Sequence, residues 1–358
     1  MSSLMPDTPS DIHAEASRWT LHGISLLEKG DHDSLQQAQI CFEHAIALRE
    51  NLSLEENPLF RWGLTAGWMN RGDVLTRLGG PERLQEALGS YDIAIAHLHQ
   101  LPLDRDPVFR WRLCVAWMNR GVTEQAVKEA GAHERALRCF DKAIETMHGH
   151  ESSERADYQQ VQASAWMNRA NELLQSSLPA WLSAVEAARH SLDHCRHLDE
   201  KDLVGREAGI KARHTLCRAL ASLLEAPSVD SDQAEAWILE ATDAVEDVMR
   251  LTQADPHFQQ IREEMFHFGC RMYRAFQPHF LAGFLDDGMM AGGMSEEMRQ
   301  AAREALAQAA FQIQQENLAG YTPSRLDRLL HTLQSLSEAG EKLGFRDGSP
   351  PGNPPIGT

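Results

Sequence analysis

Apolar residues recur along this chain at two spacings at once, one local and helical, the other long. Phe60, Leu64, Trp68 and Leu75 fall on one side of a helix, and Phe109, Leu113 and Trp117 repeat that arrangement further on. Trp62 and Met69 lie on another side, as do Trp111 and Met118. A helix apolar on two sides cannot bury both against a single partner. The pattern therefore predicts stacked helix pairs, each first helix packing on its own second helix and on the neighbouring pair.

The long spacing is a register of 49 residues. GWMNRG at 67–72, AWMNRG at 116–121 and AWMNRA at 165–170 share it. CFEHAIAL at 41–48 returns as SYDIAIAHL at 90–98 and as CFDKAIETM at 139–147. The connectors obey it too, LSLEENPLFRW at 52–62 aligning with LPLDRDPVFRW at 101–111. A period of about 20–50 residues means stacked supersecondary units.

Each unit reads as two helices. Asn57-Pro58 and Asp106-Pro107 open the first, a capping side chain followed by a proline suited to the first turn. The second carries Ala87, Tyr91 and Ala94, matched by Ala136, Phe140 and Ala143 and by Ala38, Phe42 and Ala45. The small residues let the helices approach closely, and the aromatic fills the remaining space. A mid-helix glycine costs about 1 kcal/mol against alanine, so Gly72 and Gly121 are expected where the first helix touches the second. Ala170 in the next copy points to a need for a small residue rather than a turn.

Trp19 and Gly23 carry the register upstream of Trp68, Trp117 and Trp166, whereas downstream Thr215 replaces the tryptophan. Ala234, Ile238 and Ala241 recover the second-helix pattern, and Asp255-Pro256-His257-Phe258 opens another first helix whose motif ends near Gly269. The expected organisation is a disordered N-terminus at 1–11, a helical repeat domain at 12–275, a C-terminal helical hairpin at 276–345 and a disordered tail at 346–358.

Trp68, Gly72, Ala87, Tyr91 and Ala94 together resemble the tetratricopeptide-repeat signature, Trp–x3–Gly in the first helix and Ala–x3–aromatic–x2–Ala in the second. The usual unit of that family is about 34 residues, and the extra length here falls mainly between one unit's second helix and the next first helix. AIALRENLSLEENP at 45–58 is further similar to the longer repeats of kinesin light chains, where an Arg-Glu likewise precedes a connector and a proline. The resemblance covers roughly residues 12–275. It implies an all-α fold, a right-handed superhelical solenoid of antiparallel helix pairs, and an interaction protein that grips a peptide or a larger assembly. It does not imply a kinesin as partner.

Composition agrees with an all-α chain: 42% of the residues are apolar, yet only 4 are tyrosine. The formal charge of -18 argues against a nucleic-acid ligand, which needs clustered cations. Such acidity keeps a long surface soluble and suits a basic partner. The six cysteines (Cys41, Cys114, Cys139, Cys195, Cys217, Cys270) form no CxxC pair and suggest reduced thiols in the cytoplasm. MSSLMPDTPSD lacks the basic-then-apolar order of a signal peptide. No apolar run approaches the roughly 18 residues that span a bilayer. A membrane partner and a cofactor are not expected.

Candidate chemistry is confined to a few places. In the resembling family the first helices line the inner surface and their asparagines often bond an extended peptide backbone; Asn70, Asn119 and Asn168 occupy equivalent positions. An amide both donates and accepts, so it suits a backbone without reading sequence. Met69, Met118 and Met167 beside them offer adaptable apolar contact, or else fill core gaps. Arg71, Arg120 and Arg169 also repeat and are expected to pair with acids in adjacent units, more than to read an acidic ligand. RHSLDHCRHL at 189–198 puts His190, His194 and His197 on one predicted helix face near Asp193 and Cys195, a weak metal candidate beside the blander reading of a solvated face.

No nucleophile–base constellation, phosphate loop or dinucleotide fingerprint stands out. The favoured expectation is a non-enzymatic scaffold holding a peptide or partner protein in a concave groove. The alternatives are a metal- or small-molecule-responsive regulator and a structural subunit of a larger assembly. After the turn DDGMMAGGM at 286–294, SEEMRQAAREALAQAAFQIQQENL at 295–318 and TPSRLDRLLHTLQSLSEAGEKLGF at 322–345 predict a helical hairpin. Its leucines (Leu326, Leu329, Leu330, Leu333 and Leu336) either cap the array or offer a face for self-association.

Overall fold

Side chains that accept the free backbone N–H groups of a first turn set the helix starts along this chain. In the computed structural model, α1 (Pro9–Lys29) begins under a capping box between Thr8 and Asp11. Asp31 caps α2 (His32–Glu50) through Ser34 N–H, Asn57 caps α3 (Pro58–Leu78) through Leu59 N–H, and Asp106 caps α5 (Pro107–Ala126) through Val108 N–H. Between and after them run α4 (Pro81–Leu98), α6 (Ala132–Thr146), α7 (Ala156–Leu173) and α8 (Leu178–Cys195). The proline that follows the cap in α1, α3 and α5 has no N–H to leave unsatisfied.

The structure describes residues 8–149, 155–176, 178–225, 231–253, 255–276, 281–282, 284–285, 294–314 and 323–342. Among them there are thirteen α-helices and no strand. The expected tail at 346–358 lies outside the described residues, as does the turn expected at 286–294 except for Met294. Of the N-terminal stretch expected to be disordered, residues 9–11 are helical, because the Thr8 capping box starts the helix ahead of the apolar pattern.

Contacts divide the chain into two compact units, Met1–Asp199 and Glu200–Thr358. In the first, the helices pack in consecutive pairs: α1 with α2, α3 with α4, α5 with α6 and α7 with α8. Each pair also rests on the next, through α2 and α3, α4 and α5, and α6 and α7. Successive first helices touch one another as well (α1 with α3, α3 with α5, α5 with α7), and no comparable contact joins successive second helices. The first helices thus form the closer-spaced layer of this unit.

One contact recurs inside these pairs. A β-carbon on Gly23 would lie 2.6 Å from the ring of Phe42, on Gly72 2.8 Å from the ring of Tyr91, and on Gly121 2.6 Å from the ring of Phe140. Phe42 and Phe140 are wholly buried and Tyr91 nearly so. The glycine leaves the space that the aromatic fills, and burying such a ring stabilises by roughly 2–3 kcal/mol. In the fourth pair the second helix buries Ala184, Ala187, Ala188 and Ser191, one residue short of the 49-residue register, so the small Ala188 stands where the other pairs have the aromatic, and there the glycine is replaced by Ala170.

The second unit contains α9 (Leu203–Leu224), α10 (Ser231–Leu251), a short 3-10 turn at Pro256–Phe258, α11 (Gln259–Phe276), α12 (Glu296–Gln314) and α13 (Pro323–Lys342). Each of these α-helices packs on the next. Asp255 caps the 3-10 turn through His257 N–H. Gly269 admits the ring of Phe284, which stacks on Phe266 at 5.7 Å and on Tyr273 at 4.6 Å. No helix among the described residues is long and apolar enough to cross a membrane.

Gly121→Ala is expected to lower stability by roughly 1–2 kcal/mol, although alanine gains about 1 kcal/mol in helix propensity. Urea unfolding would read this as a lower midpoint at unchanged slope. Adding Phe140→Leu to that variant should recover part of the loss, because it withdraws the ring atoms the new methyl meets.

Candidate functional site

The closer-spaced layer of first helices holds a cavity of ≈ 560 Å³, lined by α1, α3 and α5 and by Arg49 at the end of α2. Its wall is largely apolar, with Leu21, Leu59, Trp62, Met69, Trp111 and Val115 contributing. Leu21 and Leu59 are 67% and 62% exposed, so two leucines stand open to solvent at this groove. Trp62 is held in place by an edge-on contact with Phe109 at 5.4 Å. One pair earlier, His13 meets Phe60 at 5.2 Å in the equivalent positions of the register.

Asn70 and Asn119 line the groove, and Asn168 occupies the same position one pair further along, in α7. All three are partly exposed, and none of their side-chain amides finds a hydrogen-bond partner among the described residues. Met69 belongs mainly to the core, where it joins Leu98, Leu101 and Leu113 while its edge reaches the cavity. Met118 packs against the cluster of Cys114, Met147 and Tyr158 and is partly buried, as is Met167.

The repeated arginines staple neighbouring pairs together. Arg71 donates to Glu43 of the preceding second helix at 3.1 Å, Arg120 to Asp92 at 2.7 Å and Arg169 to Asp141 at 2.7 Å, always from the same register position. Arg71 further reaches Glu86 and Ser90, and Arg120 reaches Glu124 and Cys139. Glu124 is 1% exposed and also takes Arg135 at 2.8 Å, so here the ladder ends in a buried carboxylate. Arg61 and Arg110 form a second repeated set, pairing with Glu55 and Asp104 in the connectors.

Two arginines at the groove break this rule. Arg49 is 3% exposed, and among the described residues its guanidinium meets only hydroxyls, Thr20 Oγ1 at 3.0 Å and Ser17 Oγ at 3.1 Å. Its buried Nε has no partner. Arg112 lies over the face of Trp62, 3.5 Å from the ring centroid, and has no hydrogen-bond or ion-pair partner among the described residues. Loss of hydration on burial pulls both guanidinium pKa values down to about 10, which still leaves both charged at neutral pH. His13 lines the same cavity; burial, and then the charge of Arg49, lower its pKa, and its Nδ1 is buried without a partner. Asp73 is the one carboxylate lining the cavity among the described residues, and it pairs with Arg77 at 3.2 Å.

Reading for conserved register positions missed both arginines, since each sits where the other copies differ. Arg49 stands at the position of Leu98 and Met147, both buried, and Arg112 at the position of Gly63 and Val161, also buried. A search for departures from the 49-residue register, rather than agreements with it, would have found them.

The histidines expected on one face are not brought together. Helix α8 ends at Cys195, so His197 lies in the turn beyond it and is exposed. His190 stacks on Trp166 at 4.4 Å, and His194 is buried with Nδ1 2.7 Å from Gln159 Oε1. Among the described residues no group of three or more His, Cys, Asp or Glu side chains is placed to hold a metal ion. All six cysteines are free and buried, and burial pushes the Cys114 and Cys270 thiols up to about 12.

Compared with known proteins, the chain matches no family model and no curated protein sequence.

Two measurements check this description. Ellman's reagent should find the thiols unreactive in the native protein and count six of them in denaturant. Arg169→Gln is expected to cost no more than about 1 kcal/mol, since Asp141 is half exposed. Arg120→Gln, which strips a partner from the buried Glu124, should cost roughly 1–3 kcal/mol in the same unfolding assay.

Proposed function

We propose that this protein is a non-enzymatic, tetratricopeptide-like interaction scaffold that holds an extended peptide, or an extended segment of a partner protein, in the groove lined by α1, α3 and α5. The observation that carries the reading is the row of amides at Asn70, Asn119 and Asn168, which stand at one register position on successive first helices and have no hydrogen-bond partner among the described residues. An amide left without a partner on the wall of an apolar groove is suited to take one from a ligand's backbone. The exposed Leu21 and Leu59 supply apolar area that a bound chain would cover.

The superhelical part of the reading is supported by the unequal layers. Stacked pairs whose first helices touch while their second helices do not curve towards the first-helix side, and repetition of that step makes a solenoid. The six free thiols fit a reducing compartment, which supports placement in the cytoplasm.

A second reading rests on the C-terminal helices. Phe311 on α12 is 60% exposed and Leu330 on α13 is 63% exposed. We propose that these exposed side chains serve self-association, in which case sedimentation should show a concentration-dependent dimer that Phe311→Ser weakens. A strictly monomeric chain at high concentration would remove this reading.

The groove reading is tested with random peptides displayed against the full chain. Asn70→Ala, Asn119→Ala and Asn168→Ala together should weaken the selected peptides about tenfold or more, at about 1 kcal/mol per lost hydrogen bond, with helicity unchanged. Undiminished binding would take the groove out of consideration.

A further inference from the structure

We propose that Ser176 is an activated nucleophile that takes up one acyl group per chain from an activated ester or thioester, with His133 as its base and Glu172 as the residue that positions His133. The site lies in the seam where α5, α6 and α7 meet. None of its residues lines the groove, so it stands or falls apart from the peptide reading.

Carboxylate, imidazole and hydroxyl form one chain of contacts. Glu172 Oε1 lies 2.8 Å from His133 Nδ1, and His133 Nε2 lies 2.9 Å from Ser176 Oγ. Glu172 is 7% exposed, and its other oxygen accepts from the Gln125 amide. A carboxylate only accepts, so Nδ1 carries the hydrogen of the neutral ring, and Nε2 is left as the acceptor for the serine O–H. A hydroxyl within reach of a base that a third group orients is the arrangement that makes a serine reactive. His133 and Ser176 are 43 residues apart in the chain, which is why no sequence motif shows the arrangement. Ser176 is partly exposed in the turn that follows α7, beside the exposed Gln175.

The 49-residue register shows what this seam is elsewhere. His133 stands at the position of Leu35 and Leu84, Ser176 at that of Leu78 and Val127, and Glu172 at that of Val74 and Thr123. Leu35, Val74 and Leu78 belong to one apolar cluster, and Leu84 and Val127 to another. The two earlier seams are thus apolar contacts between the same positions, apart from the Thr76 and Thr123 hydroxyl pair, whose counterpart is Gln125 with Glu172. Exchanging buried leucine and valine for an imidazole and a carboxylate is costly unless each finds partners. Gln125 and His133 give Glu172 two. Ser176 adds nothing to that cover: among the described residues its hydroxyl meets only the far nitrogen of the ring, the one a base uses.

The step balances with the acyl donor alone. Ser176 Oγ attacks the carbonyl carbon and forms a new ester bond, and its proton passes to His133 Nε2. The bond to the departing oxygen or sulfur breaks, and that group takes the proton from His133 and leaves as an alcohol or thiol. A phosphoryl donor would need cations to hold it. Arg120 on α5 and Arg135 on α6 are both taken up by Glu124, and a chain of charge -18 repels a polyphosphate.

The test is acylation of the full-length protein by p-nitrophenyl acetate. After brief exposure, mass spectrometry should find one acetyl group per chain, on Ser176, with a matching burst of p-nitrophenol. The native rate should exceed that of the same serine in denaturing urea by roughly a hundredfold, the scale of a positioned base. His133→Leu installs the residue that the register uses at that position; it should remove this acceleration while the urea midpoint stays or rises. Glu172→Gln keeps the size of the side chain without its charge and should slow acylation about tenfold or more with helicity kept, which a residue serving only to pack would not do. Acetylation of lysines alone, or Ser176 reacting no faster in the native protein than in urea, would overturn the proposal. A folded His133→Leu or Glu172→Gln variant whose Ser176 reacts as fast as before would overturn it as well.

Discussion

Everything in the first unit depends on how closely two helices of a pair can approach. That distance is set where a glycine of the first helix faces an aromatic ring of the second: Gly23 on Phe42, Gly72 on Tyr91, Gly121 on Phe140. The ring is buried because the glycine has no side chain, and the glycine is tolerated in mid-helix because the ring fills the space beside it. Neither residue has a reason to be there without the other. The fourth pair makes the same point by exception, since Ala170 appears where the buried Ala188 stands in place of the aromatic.

With the pairs so fixed, polar links set how one pair meets the next. Arginine to carboxylate bonds recur at one register position, joining each second helix to the following first helix. Half-exposed pairs of this kind add little stability individually. Their value lies in register, because sliding one pair along its neighbour would break every bond in the set. The first helices are thereby held side by side, and the groove between them is a product of that alignment.

Much of this was legible in the amino-acid sequence, for a physical reason. Caps, prolines, small residues and aromatics act over one or two helical turns, and a repeat shows them three times over, so Asn57, Asp106, Gly72 and Tyr91 announce their roles. Two things were not legible. The end of α8 at Cys195 depends on local chain direction rather than on periodicity, and it parts His197 from His190 and His194. The groove itself joins residues from α1, α2, α3 and α5, and a one-dimensional register does not show that Arg49 comes to rest between Ser17 and Gly63. The same register that exposed the scaffold hid the two arginines, since they are exceptions to it.

Those exceptions bear on a problem that any periodic surface would have in holding a chain. A row of identical amides one unit apart presents the same face after each step, so a bound chain gains almost nothing from one placement over the next and could slip along the row or lie in either direction. Arg49 and Arg112 occur once each, in the first three helix pairs, and have no equivalents at Leu98, Met147, Gly63 or Val161. They give the row an origin and a polarity. A ligand anchored there would have a defined first residue and a defined heading, which a perfect repeat cannot provide.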